Sequence, residues 1–217
     1  MAKPDVVDVA PDAEAAKPAA EIAPPAPAPA PAPCSAGPAA SLTDTQRVGT
    51  PQDKLQIFVA SDAAKEGPEA DLLCISREGG KPEVLLTGHQ EAPDEGMEKH
   101  LGGFDNLLLA ADQHTLYFKS EAWAVENALH AVDLATRKER FVHAGTLVAV
   151  LDKGPFKGLL VVGTMELDDQ HSIGSPQFRG RGAVTRLVTA AGKNVRKLPE
   201  DRAAMVKVLG TDIGIEE

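Results

Sequence analysis

Three stretches of the chain share one pattern of alternating apolar and polar positions, a polar turn, and a second alternating run. Alternation with a period of two predicts β-strands, and two such runs around a short polar turn predict a β-hairpin. The stretches begin at residues 71, 128 and 183, so they are 57 and 55 residues apart. They read DLLCISREGGKPEVLLTG, ALHAVDLATRKERFVHAG and AVTRLVTAAGKNVRKLPE. The pattern therefore predicts a repeated hairpin.

An ungapped alignment of the three hairpins brings similar residues into the same columns. A glycine precedes the lysine of the turn in the first and third hairpins, where it suits a tight turn because it adopts positive φ freely. The second hairpin has Arg137 at that position, which we expect to cost about 1 kcal/mol if its φ is positive. The matched columns are Leu72, Leu129 and Val184; Ile75, Val132 and Leu187; Lys81, Lys138 and Lys193; and Gly80, Arg137 and Gly192.

Apolar runs ahead of the hairpins complete the repeats. Two runs precede the second hairpin, at residues 106–110 and 115–119, and two precede the third, at residues 147–151 and 158–164. Only one run, at residues 55–60, precedes the first hairpin, so we expect the first repeat to be shortened and the total to be about eleven strands. The predicted fold is all-β. About three meander repeats, at residues 55–88, 104–145 and 147–198, form a partial propeller or a propeller-like open β-domain.

The two ends of the chain differ from this pattern. Ten of the 17 prolines lie between Pro4 and Pro38, mixed with alanine, and such a run cannot form a regular hydrogen-bonded ladder. Residues 1–50 are therefore predicted to be a disordered Pro/Ala-rich tail or tether, and residues 51–217 the β-repeat domain. Near the other end, Pro199, Glu200 and Asp201 precede an apolar run that Gly210 closes. This arrangement predicts a short helix over about residues 199–209.

The runs LAADQHTLYFKS and ALHAVDLATRKERFV resemble the blade repeat of TolB-type β-propellers. The likeness covers residues 104–145 well, residues 55–88 partly and residues 147–198 loosely. The middle segment SEAWAVENALHAVDLATRKERFV is also similar to small uncharacterised proteobacterial β-proteins that are often predicted to be exported. The resemblance implies blades but no activity. Closed propellers use about four to eight blades, so a ring would require oligomerisation; an open arc and a sandwich-like stack are the alternatives.

The formal charge of the chain is −10, and a surface this acidic repels nucleic-acid phosphates and anionic lipid. We therefore expect no nucleic-acid partner. The charge is uneven, because acidic residues dominate from residue 71 to residue 126. From residue 179 to residue 207, eight lysines and arginines accompany only Glu200 and Asp201. This basic stretch is interpreted as a solvated face or, alternatively, as an anion or partner site that includes Arg179 and Arg181.

No window is long and apolar enough to predict a transmembrane segment, and the first residues lack the apolar core of a signal peptide. Taken literally, the sequence predicts a cytoplasmic protein. The Pro/Ala spacer ahead of a β-domain favours the periplasm if a signal peptide was trimmed or the start was misassigned. Cys34 and Cys74 are too few for a disulfide framework. Cys74 is interpreted as a core residue of a strand, and the sequence leaves the oxidation state of both cysteines open.

Residues 88–103 are predicted to form a long acidic loop ahead of a blade-like strand. The spacing of their histidines and carboxylates matches no zinc or EF-hand pattern, so we predict no metal and no other cofactor. The loop is a possible partner-binding segment, because functional loops extend from rigid β scaffolds. The residues assigned to that role are Glu91, Asp94, Glu95 and Glu98.

Three further residues are candidates for a site. Trp123, the only tryptophan, is placed in a loop between two strands, as an exposed interface anchor or as a buried cap of the core. Asp169 and His171 would share a face on a strand and are candidates for a partner contact, whereas the glycine-rich stretch after them favours an irregular polar loop over a metal site. His130 and His143 lie on the two strands of the second hairpin and are interpreted as structural histidines with satisfied hydrogen bonds.

The sequence contains no nucleophile elbow, no CxxC pair and no phosphate-cradling loop. We therefore favour a non-enzymatic protein-binding or scaffolding module of the bacterial cell envelope. One alternative is an inhibitor or immunity protein that blocks a partner enzyme and is steered by the acidic stretch. A second alternative is a hydrolase with its site near Asp169 and His171.

Overall fold

The computed structural model describes residue 34 and residues 46–49, 54–62, 65–78, 80–89, 96–123, 126–167, 175 and 180–213. Within these residues the fold is mostly β, with three four-stranded antiparallel sheets and one short C-terminal helix. Each sheet is a meander in which consecutive strands pair as neighbours, and the described strands close no barrel. The prediction of an open all-β fold made of three meander repeats is confirmed.

Each repeat supplies one sheet. The first sheet contains β1 (Arg47–Val48), β2 (Leu55–Ser61), β3 (Asp71–Arg77) and β4 (Glu83–Thr87). The second sheet contains β5 (Asp105–Leu109), β6 (Thr115–Trp123), β7 (Glu126–Asp133) and β8 (Glu139–Ala144). The third sheet contains β9 (Thr146–Val150), β10 (Leu160–Leu167), β11 (Arg181–Val188) and β12 (Asn194–Lys197), and helix α1 spans Arg202–Leu209. Short 3-10 helices at Gly67–Ala70 and Met97–Lys99 lie in the β2–β3 and β4–β5 connections.

The first repeat has more strands than the sequence indicated. The described residues form twelve strands rather than eleven, because Arg47 and Val48 pair with Phe58 and Ile57. The first repeat is therefore not shortened. Its sheet starts ahead of residue 51, within the range assigned to the tail. Apart from Cys34 and residues 46–49, that range lies outside the described residues.

Helix α1 begins after Asp201, three residues later than predicted. The Asp201 Oδ1 atom accepts a hydrogen bond of 2.7 Å from the backbone N–H of Ala204, and such a cap is worth about 1 kcal/mol. Pro199 and Glu200 therefore precede the helix instead of forming its first turn. Gly210 ends the helix in the left-handed conformation, with φ at 70°. Neither this helix nor any other in the described residues has the length and apolar character needed to cross a membrane.

The three sheets pack face to face in chain order, and β6 shows how. Leu116 and Phe118 join the apolar cluster that β6 shares with Leu73 of the first sheet. Tyr117, between them, points the other way and packs in a cluster with Leu160 of the third sheet. Because both faces of β6 are buried at this point, Leu116, Tyr117 and Phe118 are apolar in succession and do not alternate with polar residues.

The third sheet has the second sheet on one face and helix α1 on the other. Leu160 and Val162 of β10 pack toward the second sheet. Val161 points to the opposite face and packs with Leu187 of β11 and Leu209 of the helix. The helix thus covers part of the face on which a fourth sheet would otherwise pack.

The ungapped alignment placed the second hairpin one residue out of register with the other two. Leu72 points away from the second sheet, whereas Leu129, its assigned counterpart, points forward to the third sheet. Neighbouring residues of a strand point to opposite faces, so a slip of one residue exchanges the faces. On strand β3, Leu73 and Ile75 point forward to the second sheet, and their counterparts on β7 are Leu129 and Ala131.

The shift originates in the turn that contains Arg137. In this turn the N–H of Asp133 donates to the carbonyl of Lys138, and this hydrogen bond closes a turn of six residues. In the third sheet the N–H of Thr189 donates to the carbonyl of Lys193, which closes only five. Arg137 has a φ of 58° and Gly192 a φ of 84°, so both adopt the left-handed conformation expected at this position. The expectation is wrong for Gly80, which does not have a positive φ; in that turn Glu78 has one, of 52°.

The turns of the second and third sheets each contact the outer strand of the preceding sheet. The Arg137 guanidinium pairs with the Glu83 carboxylate and donates a hydrogen bond of 3.3 Å to the carbonyl of Val84, both on β4. Gly192, with φ at 84°, lies so close to β8 that a Cβ atom there would be 1.9 Å from the Val142 oxygen. These contacts join consecutive repeats.

Cys34 and Cys74 form a disulfide, which corrects the interpretation of Cys74 as an ordinary core residue. Cys34 is only 7% exposed and packs with Ala60 and Leu72 on the outer face of the first sheet. The bond joins residues 40 apart in sequence, and closing a loop of that size stabilises a fold by about 4 kcal/mol in the chain-entropy account. Part of the predicted tail is therefore attached to the β-domain.

Candidate functional site

Strands β3, β5, β7, β9 and β11 all begin at one end of the stack, which we call the loop end. Asp71, at the start of β3, accepts a hydrogen bond of 2.6 Å at Oδ2 from the N–H of Gly103, just ahead of β5. Asn127 of β7 donates one of 3.1 Å from Nδ2 to Thr146 Oγ1, at the start of β9. These bonds hold neighbouring sheets together at this end.

Three of the nine residues assigned to partner binding lie in the described part of the chain. Glu98 is exposed in the 3-10 helix Met97–Lys99, and Arg181 is the exposed first residue of β11. Trp123 is the last residue of β6 and pairs with Glu126, so it lies in a strand and not in the predicted loop; its backbone alone is described. The other six lie outside the described residues: Glu91, Asp94, Glu95, Asp169, His171 and Arg179.

A pocket of about 190 Å³ lies at the loop end between the second and third sheets. Its floor is backbone, because a Cβ atom on Gly145 would be 2.3 Å from the Gly163 oxygen. Its rim combines an amide and hydroxyl groups with apolar side chains. The residues that line it are Asn127, Gly145, Thr146, Gly163, Thr164, Met165, Ala183, Val184 and Thr185. The pocket presents neutral polar groups and apolar surface but no charged side chain.

Exposed apolar side chains continue from the pocket along one face of the β10–β11 hairpin. Met165 is 39% exposed and Leu167 is 54% exposed. Their direct partners across the ladder are Ala183 and Arg181, which are exposed as well. We call this surface the open face; it consists of Gly163, Met165, Leu167, Arg181, Ala183 and Thr185. It lies on the same side of the third sheet as Val161, which helix α1 covers.

An ion pair braces the opposite side of the same hairpin. The Arg186 guanidinium forms two hydrogen bonds to the Glu166 carboxylate, one of them 2.7 Å from Nη2 to Oε2. These bonds hold the pKa of Glu166 below its usual value. A bidentate pair of this kind restricts the conformation of both side chains, so it holds β10 and β11 in register where they carry the open face.

His130 is a buried histidine with one unsatisfied nitrogen. Its Nδ1 lies 2.5 Å from Glu139 Oε1, and its ring stacks on Phe118 with centroids 5.5 Å apart. Its Nε2 has no hydrogen-bond partner among the described residues. The prediction of a satisfied structural histidine is therefore correct for one nitrogen and wrong for the other. An unpaired buried polar atom costs about 1–3 kcal/mol.

His143 contacts the next sheet, and His89 and His100 belong to the segment of residues 88–103. His143 Nε2 lies 3.1 Å from Asn194 Oδ1 in the next sheet, and its Nδ1 lies 2.5 Å from the Ala144 oxygen. Burial lowers the pKa of His100, and the nearby His89 lowers it further. No group of three or more potential metal ligands is assembled within the described ranges.

The sequence did not single out Met165 and Leu167. They follow the buried apolar residues of β10, and the sequence does not distinguish an exposed apolar residue of a strand from a buried one. The sequence signal that could have found them is the alternation in LVVGTMEL, which places Val161, Met165 and Leu167 on one face of β10. Helix α1 has eight residues and covers only part of that face. The comparisons with known proteins add no further assignment: the chain matches no protein-family model, and no curated protein is significantly similar to it.

Proposed function

We propose that this protein is a non-enzymatic protein-binding module of the bacterial cell envelope, built from TolB-like blades in an open stack. The open face of the third sheet is the proposed contact. It is the observation that carries the proposal. The occupant we propose is a partner protein whose surface has an apolar centre and an acidic rim.

The composition of the open face supports a protein contact. Methionine and arginine are enriched in protein interfaces, and an apolar centre with a polar rim is the usual layout of such a patch. Met165 and Leu167 supply the apolar centre, and Arg181 lies across the ladder from Leu167. The adjoining pocket offers a recess for one side chain of the partner.

The contrast with the other sheet faces supports the same conclusion. Both faces of the second sheet pack against neighbouring sheets, and the outer face of the first sheet packs against Cys34. Helix α1 covers the part of the third sheet around Val161 and Leu187. An apolar surface left over in a stack that covers its other faces is a candidate interface.

The disulfide between Cys34 and Cys74 supports the location. Stable disulfides form in oxidising compartments such as the bacterial periplasm and are rare in the cytosol. The sulfur atoms belong to side chains that are 7% and 0% exposed, which protects the bond from reductants. An exported module with this bond is therefore the version of the proposal that we favour.

The proposal is tested by site-specific crosslinking in intact cells of the source organism. A photo-crosslinking residue replaces Leu167, and a matched residue replaces Lys138, which is exposed in the turn at the far end of the second sheet. We expect one protein to crosslink from position 167 and not from position 138. The purified partner should then bind at least about tenfold more weakly to Met165→Asp than to Lys138→Asp.

Two results would count against the proposal. Equal crosslinking from both positions would show non-specific proximity, and an unchanged affinity of Met165→Asp would place the contact elsewhere. Alkylation tests the location separately. In protein taken directly from cells, Cys34 and Cys74 should resist a thiol reagent until a reductant is added, and reaction without the reductant would contradict an oxidising compartment.

A further inference from the structure

The outer edge of β12 differs from the outer edges of the other two sheets. The turn of the second sheet contacts β4 through Arg137, and the turn of the third sheet contacts β8 at Val142. β12 is the last strand of its sheet, and no later repeat is present among the described residues to supply such a turn. All residues from Lys193 to Lys197 are exposed.

The backbone of this edge is oriented to accept another strand. The N–H of Leu198 donates a hydrogen bond of 2.8 Å to the carbonyl of Thr185 on β11. In an antiparallel ladder consecutive residues direct their backbone groups to alternate sides. The N–H and C=O groups of Lys197 therefore point away from β11, toward the open edge.

The charge of this edge determines which chain can pair with it. The exposed stretch reads KNVRK, with three positive charges and none negative. Like charges directly opposite each other are destabilising in a sheet, so the edge opposes pairing with a second copy of itself. An extended acidic segment satisfies both the charges and the backbone groups. Val195, which is 48% exposed, offers the one apolar contact.

We propose that β12 binds an extended acidic peptide segment of a partner protein by strand addition. The mode is one that proteins use widely: backbone hydrogen bonds supply affinity, and side chains on alternate positions supply specificity. The inference rests on the proposed function only in that the ligand is a protein. It concerns a different surface from the open face, so the two are tested by different residues.

The test uses the full oxidised chain and a fluorescent seven-residue peptide that alternates glutamate and valine. One control peptide has lysine in place of glutamate, and another has proline at its centre. Binding is followed by fluorescence anisotropy in low salt. We expect the acidic peptide to bind and both controls to bind at least about tenfold more weakly, because one lacks the charge and the other cannot form the ladder.

Variants of the chain locate the contact. Lys193→Glu combined with Arg196→Glu should weaken binding by about tenfold or more. The matched control reverses Lys81 and Lys138, the lysines of the corresponding turns in the first and second sheets, and should change the affinity less than about twofold. In addition, the amide of Lys197 should gain protection from hydrogen exchange when the peptide binds.

Each alternative outcome overturns the inference in a distinct way. Equal weakening by the control pair would show general electrostatic attraction. Full binding of the proline peptide, or no protection at Lys197, would exclude strand addition. Binding of phosphatidylglycerol vesicles through Lys193 and Arg196 without binding of the peptide would make the strand a lipid contact. None of these results changes the crosslinking from Leu167, so failure here leaves the proposed function intact.

Discussion

The first and third sheets each have an outer face on which no other sheet packs, and different parts of the chain cover these two faces. Each is the end of a stack, where a sheet lacks a neighbour on one side. A disulfide-linked residue from far upstream, Cys34, packs on the first sheet. Helix α1, which follows the last strand directly, packs on the third sheet. The disulfide brings in a residue 40 positions away from Cys74, whereas the helix lies directly after the sheet that it covers.

The difference has a consequence for where surface remains exposed. The helix has eight residues, and its buried side chains Met205 and Leu209 cover the sheet around Val161 and Leu187. The rest of that face, with Met165 and Leu167, stays exposed. A cover of limited length therefore leaves apolar surface exposed on this sheet.

The largest loss in the free energy of unfolding is expected from removing the disulfide at the first sheet. Replacing both cysteines, Cys34→Ala with Cys74→Ala, should lower the free energy of unfolding by about 4 kcal/mol, because the unfolded chain regains the freedom of a long loop. Urea denaturation of the variant and the wild type measures it. Reduced wild-type protein is the control and should lose a similar amount. A loss below about 1 kcal/mol would mean that the first sheet does not depend on its covalent cover.

A smaller loss is expected at the third sheet. Leu209 is fully buried between the helix and the sheet, so Leu209→Ala should cost about 2–4 kcal/mol. Lys207→Ala, on the exposed side of the same helix, should cost less than about 0.5 kcal/mol. Urea denaturation again measures both. Equal effects of the two substitutions would contradict packing of this helix face on the sheet.

The cap at the start of helix α1 should contribute less to the free energy of unfolding than the packing of Leu209. Asp201→Ala removes the cap of the Ala204 N–H and should cost about 1 kcal/mol. Asp201→Asn keeps a capping oxygen and is expected to recover most of the loss. If alanine and asparagine cost the same in thermal unfolding, the capping hydrogen bond to Ala204 does not stabilise the start of the helix.

The smallest effect is expected at the ion pair behind the open face. The folded-state pKa of Glu166 lies below its usual value of 4.5. Its contribution is therefore present above about pH 4.5 and is lost as the pH falls through the lowered value. Glu166→Gln should reduce stability by about 0.5 kcal/mol at pH 7, with the difference shrinking toward acid pH.

A double-mutant cycle with Arg186→Met measures how much the Glu166–Arg186 interaction itself contributes to the free energy of unfolding. If Glu166→Gln has the same effect with and without Arg186, the two side chains do not stabilise each other. Urea denaturation at pH 7 and at pH 4 measures both arms of the cycle.

Local patterns in the sequence were enough to predict the meander repeats, the helix and every described strand except β1. A run such as TLYF next to a polar turn favours a strand, and a glycine such as Gly210 directly after a helical run favours the end of the helix. The alignment of the repeats was less certain. Leu129 and its neighbours were assigned to the wrong face because a turn one residue longer, around Arg137, shifts the register without changing composition.

The candidate site depended on information that local patterns do not contain. Arg137 was conspicuous as a misfit among glycines, but its partner Glu83 lies in another repeat and only packing brings them together. Six of the nine predicted site residues lie outside the described part of the chain, so their assignment stays a prediction. Met165 and Leu167 went unnoticed because an exposed apolar residue looks like a buried one in sequence.

The sequence by itself determined that this chain forms short antiparallel strands in three consecutive meanders followed by a helix. These features depend on periodicity, turn residues and caps, whose contacts span a few positions. Only the tertiary structure decided which face of each strand is covered, that Cys34 reaches Cys74, and that Met165 and Leu167 remain exposed. The reason is that burial depends on contacts between residues far apart in the chain, and a local pattern does not specify those contacts.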